Sequence, residues 1–152
     1  MLILLRSIFR AASHTRTTRY FLTDAMLPTI RAEVASGQKA TMYNEVKSRA
    51  NGYLASTPSV NIYATLTLAL VGRVESNATY TQKAVDFFMF AVNSGSWDKK
   101  IIEWPLAYDW LYPNLTSDQR NAARAVALAA YDLGEQKTVY YNLEALFATT
   151  HG

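Results

Sequence analysis

Residues Glu103 to Arg120 read EWPLAYDWLYPNLTSDQR, and the fold of the chain follows from this stretch. Apolar side chains recur through it at helical spacing and form two neighbouring stripes. They are Trp104, Ala107, Tyr108 and Leu111 in the first stripe, and Leu106 and Trp110 in the second. Asp109 is the one charged residue inside this run. A helix that is apolar on nearly every face belongs in a protein interior, so the pattern predicts a buried helix over 104–112.

Both ends of this helix carry boundary signals. Pro105 suits the first turn, where its missing N–H leaves no hydrogen bond unmade. Pro113 ends the helix, and Thr116 with Gln119 has the spacing of a capping box that opens a new helix. The stretch therefore predicts a buried helix, a tight turn and a second helix.

The same alternation occurs earlier in the chain. Residues 60–72 read VNIYATLTLALVG, which is apolar on every face and predicts another buried helix, with a turn from Gly72 to Asn77. A half-polar helical pattern follows each buried helix, over 79–93 and 117–133. Buried inner helices wrapped by half-polar outer helices are typical of an (α/α) toroid or an α-solenoid. We therefore expect an all-α fold of antiparallel helical hairpins, with no strands.

Three further helices are predicted around this pattern. One amphipathic period covers about 40–55, and another covers about 138–150. A shorter helix begins after Thr23 as its N-cap and ends near Gly37, which occupies the place of a left-handed C′ residue. Ser59 is expected to cap the buried helix that follows it.

The composition indicates one globular domain and argues against several classes of function. The chain has 152 residues, half of them hydrophobic, and no cysteine, so neither a disulfide framework nor a thiolate metal site is expected. A net charge of +3, spread along the chain, is far below that of a nucleic-acid-binding domain. No apolar run reaches the roughly 18 residues of a membrane span. Neither metal-ligand spacing nor a phosphate-binding glycine loop is found, so we expect no metal and no cofactor.

The segment LAYDWLYPNLTSDQR resembles the AYDWLY…LT.E.R segment of polysaccharide lyases of the heparinase II/III and alginate lyase kind. Weaker similarities lie in RYFLTDAMLPTIRAEVASG (19–37) and LTLALVGRVESNATYTQKAVDFF (66–88). The resemblance implies an incomplete (α/α) toroid over 19–152 that is part of a longer chain; a complete small helical protein with a short arc of hairpins is the alternative. Residues 1–18 are expected to form a poorly ordered segment. The resemblance also implies a secreted or periplasmic protein, although residues 1–18 form no convincing signal peptide. Such lyases cleave uronate-containing polysaccharides by β-elimination, so the implied partner is an acidic polysaccharide.

The resemblance further implies one catalytic candidate in the chain. In β-elimination a proton leaves a carbon beside a carboxylate, so the site must neutralise that carboxylate with a hydrogen-bond donor while a Tyr or His takes the proton. In the lyases an Asn, often next to a His, begins a later helix, and the matching stretch here is VYYNLEALFATTHG, with Asn142 at that place. Leu143 stands where the His would be, and the catalytic Tyr of the lyases would lie beyond residue 152. An ordinary helix Asn at the border of the core is the alternative role for Asn142.

Four aromatic residues of the opening stretch are candidates for sugar binding. Aromatic rings pack against the apolar faces of pyranoses and often line clefts. Packing between helices is the usual role of aromatics at helical spacing, so we expect most of the four in the core and one at a cleft. The four are Trp104, Tyr108, Trp110 and Tyr112. Asp109 is expected to be a buried brace rather than a catalytic acid, because a buried carboxylate needs partners.

Two other functions stay open. A non-catalytic helical-repeat scaffold that binds protein would repeat about every 34 residues, whereas the buried helices here begin near 60 and 104. A glycoside hydrolase on an (α/α) toroid would need two facing carboxylates. Glu103 does not share a helix face with Asp109, so this pairing lacks support from the sequence.

Overall fold

The computed structural model describes residues 22–96 and 103–132. These residues form six α-helices and contain no strand. The helices are α1 (Leu27–Glu33), α2 (Gly37–Leu54), α3 (Ile62–Glu75), α4 (Ala78–Asn93), α5 (Glu103–Leu111) and α6 (Ser117–Asp132). Two 3-10 turns, Asp24–Met26 and Tyr112–Asn114, precede α1 and follow α5. The predicted all-α class is confirmed for this part of the chain.

Helix α3 is the centre of the core. Every residue from Ala64 to Gly72 is buried, as are Ile62 and Val74. The helix packs against α1, α2, α4 and α5, which is why its sequence is apolar on nearly every face. Burying one large aliphatic side chain contributes about 1.5–3 kcal/mol, so α3 supplies much of the driving force for folding. The exception is Tyr63, which is 56% exposed near the start of the helix.

Helices α4 and α6 bury one stripe each and expose the other side. In α4 the buried residues recur at helical spacing while Asp86 is exposed on the far side. They are Tyr80, Ala84, Val85, Phe87, Phe88, Ala91 and Val92. In α6 the fully buried residues are Ala123 and Ala127. Helix α5 packs on α3, and α6 packs on α4. The two buried helices thus pack on each other, the two half-exposed helices pack on each other, and α3 also packs along α4.

The turn between α3 and α4 lies later than predicted. Helix α3 continues through Gly72 to Glu75, and the chain reverses at Ser76, whose φ of 52° is left-handed. A Cβ on Gly72 would lie 2.9 Å from the backbone nitrogen of Thr81 in α4. This glycine therefore permits close approach of two helices and does not form a turn. The prediction was wrong because a glycine in a sequence is compatible with either role.

Two helix starts can be compared with the capping predictions. In α6 the Gln119 N–H donates to Thr116 Oγ1 at 3.2 Å, and the Thr116 N–H donates to Gln119 Oε1 at 2.9 Å. The predicted capping box is therefore confirmed. Helix α3 is capped by Asn61, whose Oδ1 accepts the Ala64 N–H at 3.0 Å, so the assignment of this cap to Ser59 was wrong.

The N-terminal helix is shorter than predicted. After Thr23 the chain makes a 3-10 turn, and α1 then ends at Glu33. Thr23 occupies an N-cap position, but its side chain makes no capping hydrogen bond. Gly37 is left-handed as predicted, with a φ of 68°, yet it opens α2 and does not close α1.

Arg31 fastens α1 to the C-terminal end of α3. Its Nε donates to the carbonyl oxygen of Val74 at 2.5 Å, and its Nη2 donates to the carbonyl oxygen of Arg73 at 3.1 Å and to Ser76 Oγ at 2.7 Å. Carbonyls in the last turn of a helix have no partner within the helix, so this side chain completes the end of α3.

Some predictions concern residues outside 22–96 and 103–132. They are the poorly ordered segment 1–18, the helix over 138–150 and the role of Asn142. In the described part of the chain, no helix combines the length and the apolar character needed to cross a membrane.

Candidate functional site

The aromatic residues of α5 divide into a buried set and one residue at the surface. Trp104, Tyr108 and Trp110 are between 1% and 2% exposed. These three rings lie in the core and cannot touch a polymer. Tyr112, in the 3-10 turn after α5, is half-buried and reaches solvent. Of the four candidates, Tyr112 is therefore the one placed where a sugar could reach it.

The buried rings hold Tyr112 in position through a chain of aromatic contacts. Phe88 of α4 lies 6.1 Å from Trp104 and 6.4 Å from Tyr108, measured between ring centroids. Tyr108 in turn meets Tyr112 at 5.6 Å with an angle of 72° between the ring planes. Edge-to-face pairs of this kind contribute about 0.5–1.5 kcal/mol beyond the area they bury. The turn after α5 is thus anchored to the core through Tyr108.

Arg120 of α6 lies directly over Tyr112. The central carbon of its guanidinium is 4.0 Å from the centroid of the Tyr112 ring. Its Nη2 also donates to the carbonyl oxygen of Tyr112 at 2.9 Å. A cation over an aromatic face is attracted by the ring, and more strongly where both are partly removed from water. Tyr112 and Arg120 therefore form one unit at the surface, the Tyr112–Arg120 pair.

The sequence analysis gave Arg120 no role in a site. The sequence did contain a signal that Arg120 lies beside this turn, because the capping box determines where α6 begins. With Thr116 as the N-cap, Arg120 falls in the first turns of α6, next to the turn that the helix follows. The identity of its partner ring depends on how that turn folds back, which spacing alone does not give.

Tyr108 lies in an environment unsuited to proton abstraction. Burial raises the pKa of the Tyr108 hydroxyl above its ordinary value, although the guanidinium groups of Arg124 and Arg120 oppose the rise. The phenol is therefore neutral near pH 7 and cannot take a proton from a substrate. With 1% exposure it also has no route to one.

Asp109 is buried, at 2% exposed, as expected for a brace. The other acid of α5, Glu103, is half-buried and six positions earlier, where a helix places it on a different face. The described residues contain no group of three or more His, Cys, Asp or Glu side chains that could hold a metal ion.

A second polar cluster joins α2 to the turn between α3 and α4. Tyr43, Lys47 and Asn51 recur every fourth residue along one side of α2. The Tyr43 hydroxyl donates to Glu75 Oε1 at 3.3 Å, and Lys47 Nζ lies 2.7 Å from the same oxygen. The Tyr80 hydroxyl donates to Asn51 Oδ1 at 2.5 Å. Burial, reinforced by the Glu75 carboxylate, raises the pKa of Tyr43. These groups satisfy one another, so the cluster serves to join the helices.

Comparison of the chain with protein-family models, with curated proteins and with solved structures finds no match in any of the three. The resemblance to polysaccharide lyases therefore rests on the residues quoted for it.

Proposed function

We propose that this chain forms part of an (α/α)-toroid domain that binds a uronate-containing acidic polysaccharide, as in the polysaccharide lyases that its AYDWLY segment resembles. The observation that carries the proposal is the Tyr112–Arg120 pair, which ends the buried helix of that segment and presents a fixed cation at the surface. The packing of the buried helices α3 and α5 on each other, and of the half-exposed helices α4 and α6 on each other, agrees with it, because a toroid requires inner and outer helices.

The proposed chemistry is β-elimination, with Asn142 as the donor that neutralises the substrate carboxylate. Tyr108 is excluded as the base by its burial and its raised pKa. The general base that takes the proton from the substrate therefore has to be another residue.

Affinity electrophoresis tests the binding part of the proposal. The protein is run through native gels that contain alginate, heparin or polygalacturonate, with dextran gels as the neutral control. We expect at least one uronate polymer to slow the protein while dextran leaves its mobility unchanged. Equal mobility in all gels would contradict polysaccharide binding by this chain.

The catalytic part concerns Asn142. In a form of the protein that yields unsaturated uronate product, followed by ultraviolet absorbance, Asn142→Ala should lower the rate by about 10²–10³-fold, as expected for loss of one donor to developing charge. A rate within twofold of the unmodified protein would assign Asn142 the alternative role of an ordinary helix residue.

A further inference from the structure

One face of the Tyr112 ring is already occupied. Arg120 covers one face at 4.0 Å, and Tyr108 meets the ring edge-to-face at 5.6 Å. A pyranose could stack on the covered face only by displacing the guanidinium. On that face, the group that this surface offers to a sugar is the cation and not the ring.

Arg120 is held in a fixed position. One Nη2–H is bound to the Tyr112 carbonyl at 2.9 Å, and the planar group rests on the ring. Its Nε–H is buried, with no hydrogen-bond acceptor among the described residues. A guanidinium carries five N–H donors, so the donors that remain for a ligand belong to the two Nη groups. Because the side chain is already ordered, binding a ligand costs little further side-chain entropy.

The residues one turn before and after Arg120 along α6 include no acid. Arg124 follows one turn later on the same side of α6, and its guanidinium opposes the rise that burial causes in the pKa of Tyr108. The acidic residue in the first turn of this helix is Asp118. At about 100° per residue, Asp118 lies on the opposite side of α6 from both arginines. No acid of α6 therefore lies beside Arg120 on its side of the helix.

We infer that Arg120 recognises a carboxylate of the polysaccharide, with Tyr112 as the support that holds its guanidinium in place. The inference rests on the polysaccharide binding proposed above, and it names the chemical group of the polysaccharide that the protein recognises. The N–H groups that remain on the two Nη nitrogens can donate to a carboxylate, which accepts paired hydrogen bonds from a planar guanidinium, whereas a neutral sugar ring carries no such group. The uronate carboxyl group, more than the sugar ring, then determines affinity.

The test compares Arg120→Met with Arg49→Met, which removes one charge from an exposed arginine on α2. Dissociation constants are measured by calorimetry for alginate and for carboxyl-reduced alginate, at several salt concentrations. We expect Arg120→Met to weaken alginate binding by about 10- to 100-fold, as for loss of a hydrogen bond to a charged group. The salt dependence should become shallower, while Arg49→Met stays within about twofold of the unmodified protein. Carboxyl-reduced alginate should bind weakly to all three.

The outcomes separate this inference from the proposed function. If the unmodified protein binds no uronate polymer, both fail. If it binds alginate and Arg120→Met weakens binding no more than Arg49→Met does, the role of Arg120 is overturned while the binding proposal stands. Equal affinity of the unmodified protein for alginate and its carboxyl-reduced form also overturns it.

Arg120 also holds the turn after α5 through its hydrogen bond to Tyr112. An effect of its substitution on folding therefore has to be distinguished from an effect on carboxylate binding. Circular dichroism shows whether Arg120→Met folds, and Arg120→Lys supplies a second variant that keeps the charge without the planar group. A purely structural role predicts that Arg120→Lys loses affinity for both polymers in the same proportion. Carboxylate recognition predicts that Arg120→Lys retains part of the preference for alginate over the carboxyl-reduced polymer.

Discussion

Two glycines lie in the interior of helices in the described part of the chain, and they have opposite surroundings. Gly72 in α3 faces α4, and a Cβ there would approach the backbone of Thr81. Gly52 in α2 has no atom within 4 Å of the position that a Cβ would take. The same substitution should therefore have opposite effects on the free energy of unfolding at the two positions.

We expect Gly72→Ala to lower the free energy of unfolding by about 1–3 kcal/mol, because the new Cβ would also meet the backbone nitrogen of Thr81, which cannot move without shifting α4. Gly52→Ala should raise it by about 0.5–1 kcal/mol, since alanine is the better helix former. Urea denaturation of both variants checks this. A Gly72→Ala variant as stable as Gly52→Ala would show that the two helices do not approach as closely as described.

Tyr43 links stability to pH at the residue scale. Its hydroxyl has a raised pKa in the fold, so the native state keeps this proton at pH values where the unfolded chain loses it. An unfolded tyrosine titrates near pH 10, so the contribution is complete below about pH 10 and is lost as the pH rises above it.

Tyr43→Phe should accordingly lose stability less steeply than the unmodified protein above about pH 10, since it has no proton to release there. At neutral pH it should be less stable by about 1 kcal/mol, through loss of the hydrogen bond to Glu75. The measurement is urea unfolding at neutral and alkaline pH, with Tyr63→Phe at an exposed position as the control. Alkaline slopes that are the same for all three proteins would contradict this role of Tyr43.

At the scale of elements, α6 begins where its capping box is. Thr116 and Gln119 exchange two hydrogen bonds between side chain and backbone, which satisfies donors that a helix start leaves open. The same start determines the position of Arg120 over Tyr112. Capping and the proposed carboxylate contact are therefore connected through the position of one helix.

Thr116→Ala removes one half of this box and should lower the free energy of unfolding by about 1 kcal/mol. Ser117→Ala, at the next position and outside the box, is the matched control and should change it by less than about 0.5 kcal/mol. Chemical denaturation gives both values. Equal effects of the two substitutions would argue that the box does not stabilise α6.

At the scale of the whole molecule, α3 contacts four other helices, whereas α1 is short and joins the others through few residues. Arg31 provides much of that attachment through its three hydrogen bonds to the end of α3. Such differences determine where the fold opens locally, because a helix with few buried contacts needs less free energy to detach from the rest of the protein.

Hydrogen exchange followed by mass spectrometry should therefore find the slowest amides in α3 and faster exchange in α1. Arg31→Met should accelerate exchange in α1 and at the C-terminal end of α3 while leaving α6 unchanged. Exchange in α3 as fast as in α1 would contradict the central position of α3. Uniform acceleration in Arg31→Met would mean that the arginine stabilises the whole fold and not one attachment.

The sequence by itself determined the all-α class, both buried helices and the amphipathic helices beside them, because hydrophobic periodicity reports directly which faces avoid water. It also located the capping box of α6, which depends on residues only three positions apart. The sequence analysis misplaced the turn at Gly72 and the cap at Ser59, because glycine and serine each occur in several kinds of local structure.

Only the tertiary structure decided which aromatic ring reaches the surface, and that an arginine covers it. Trp110 and Tyr112 are similar candidates in the sequence, yet one is buried and the other half-exposed. Their burial depends on contacts with helices distant in the chain. Arg120 meets Tyr112 because the chain turns back between α5 and α6, and the direction of that turn is set by packing against α4 and not by the order of the residues.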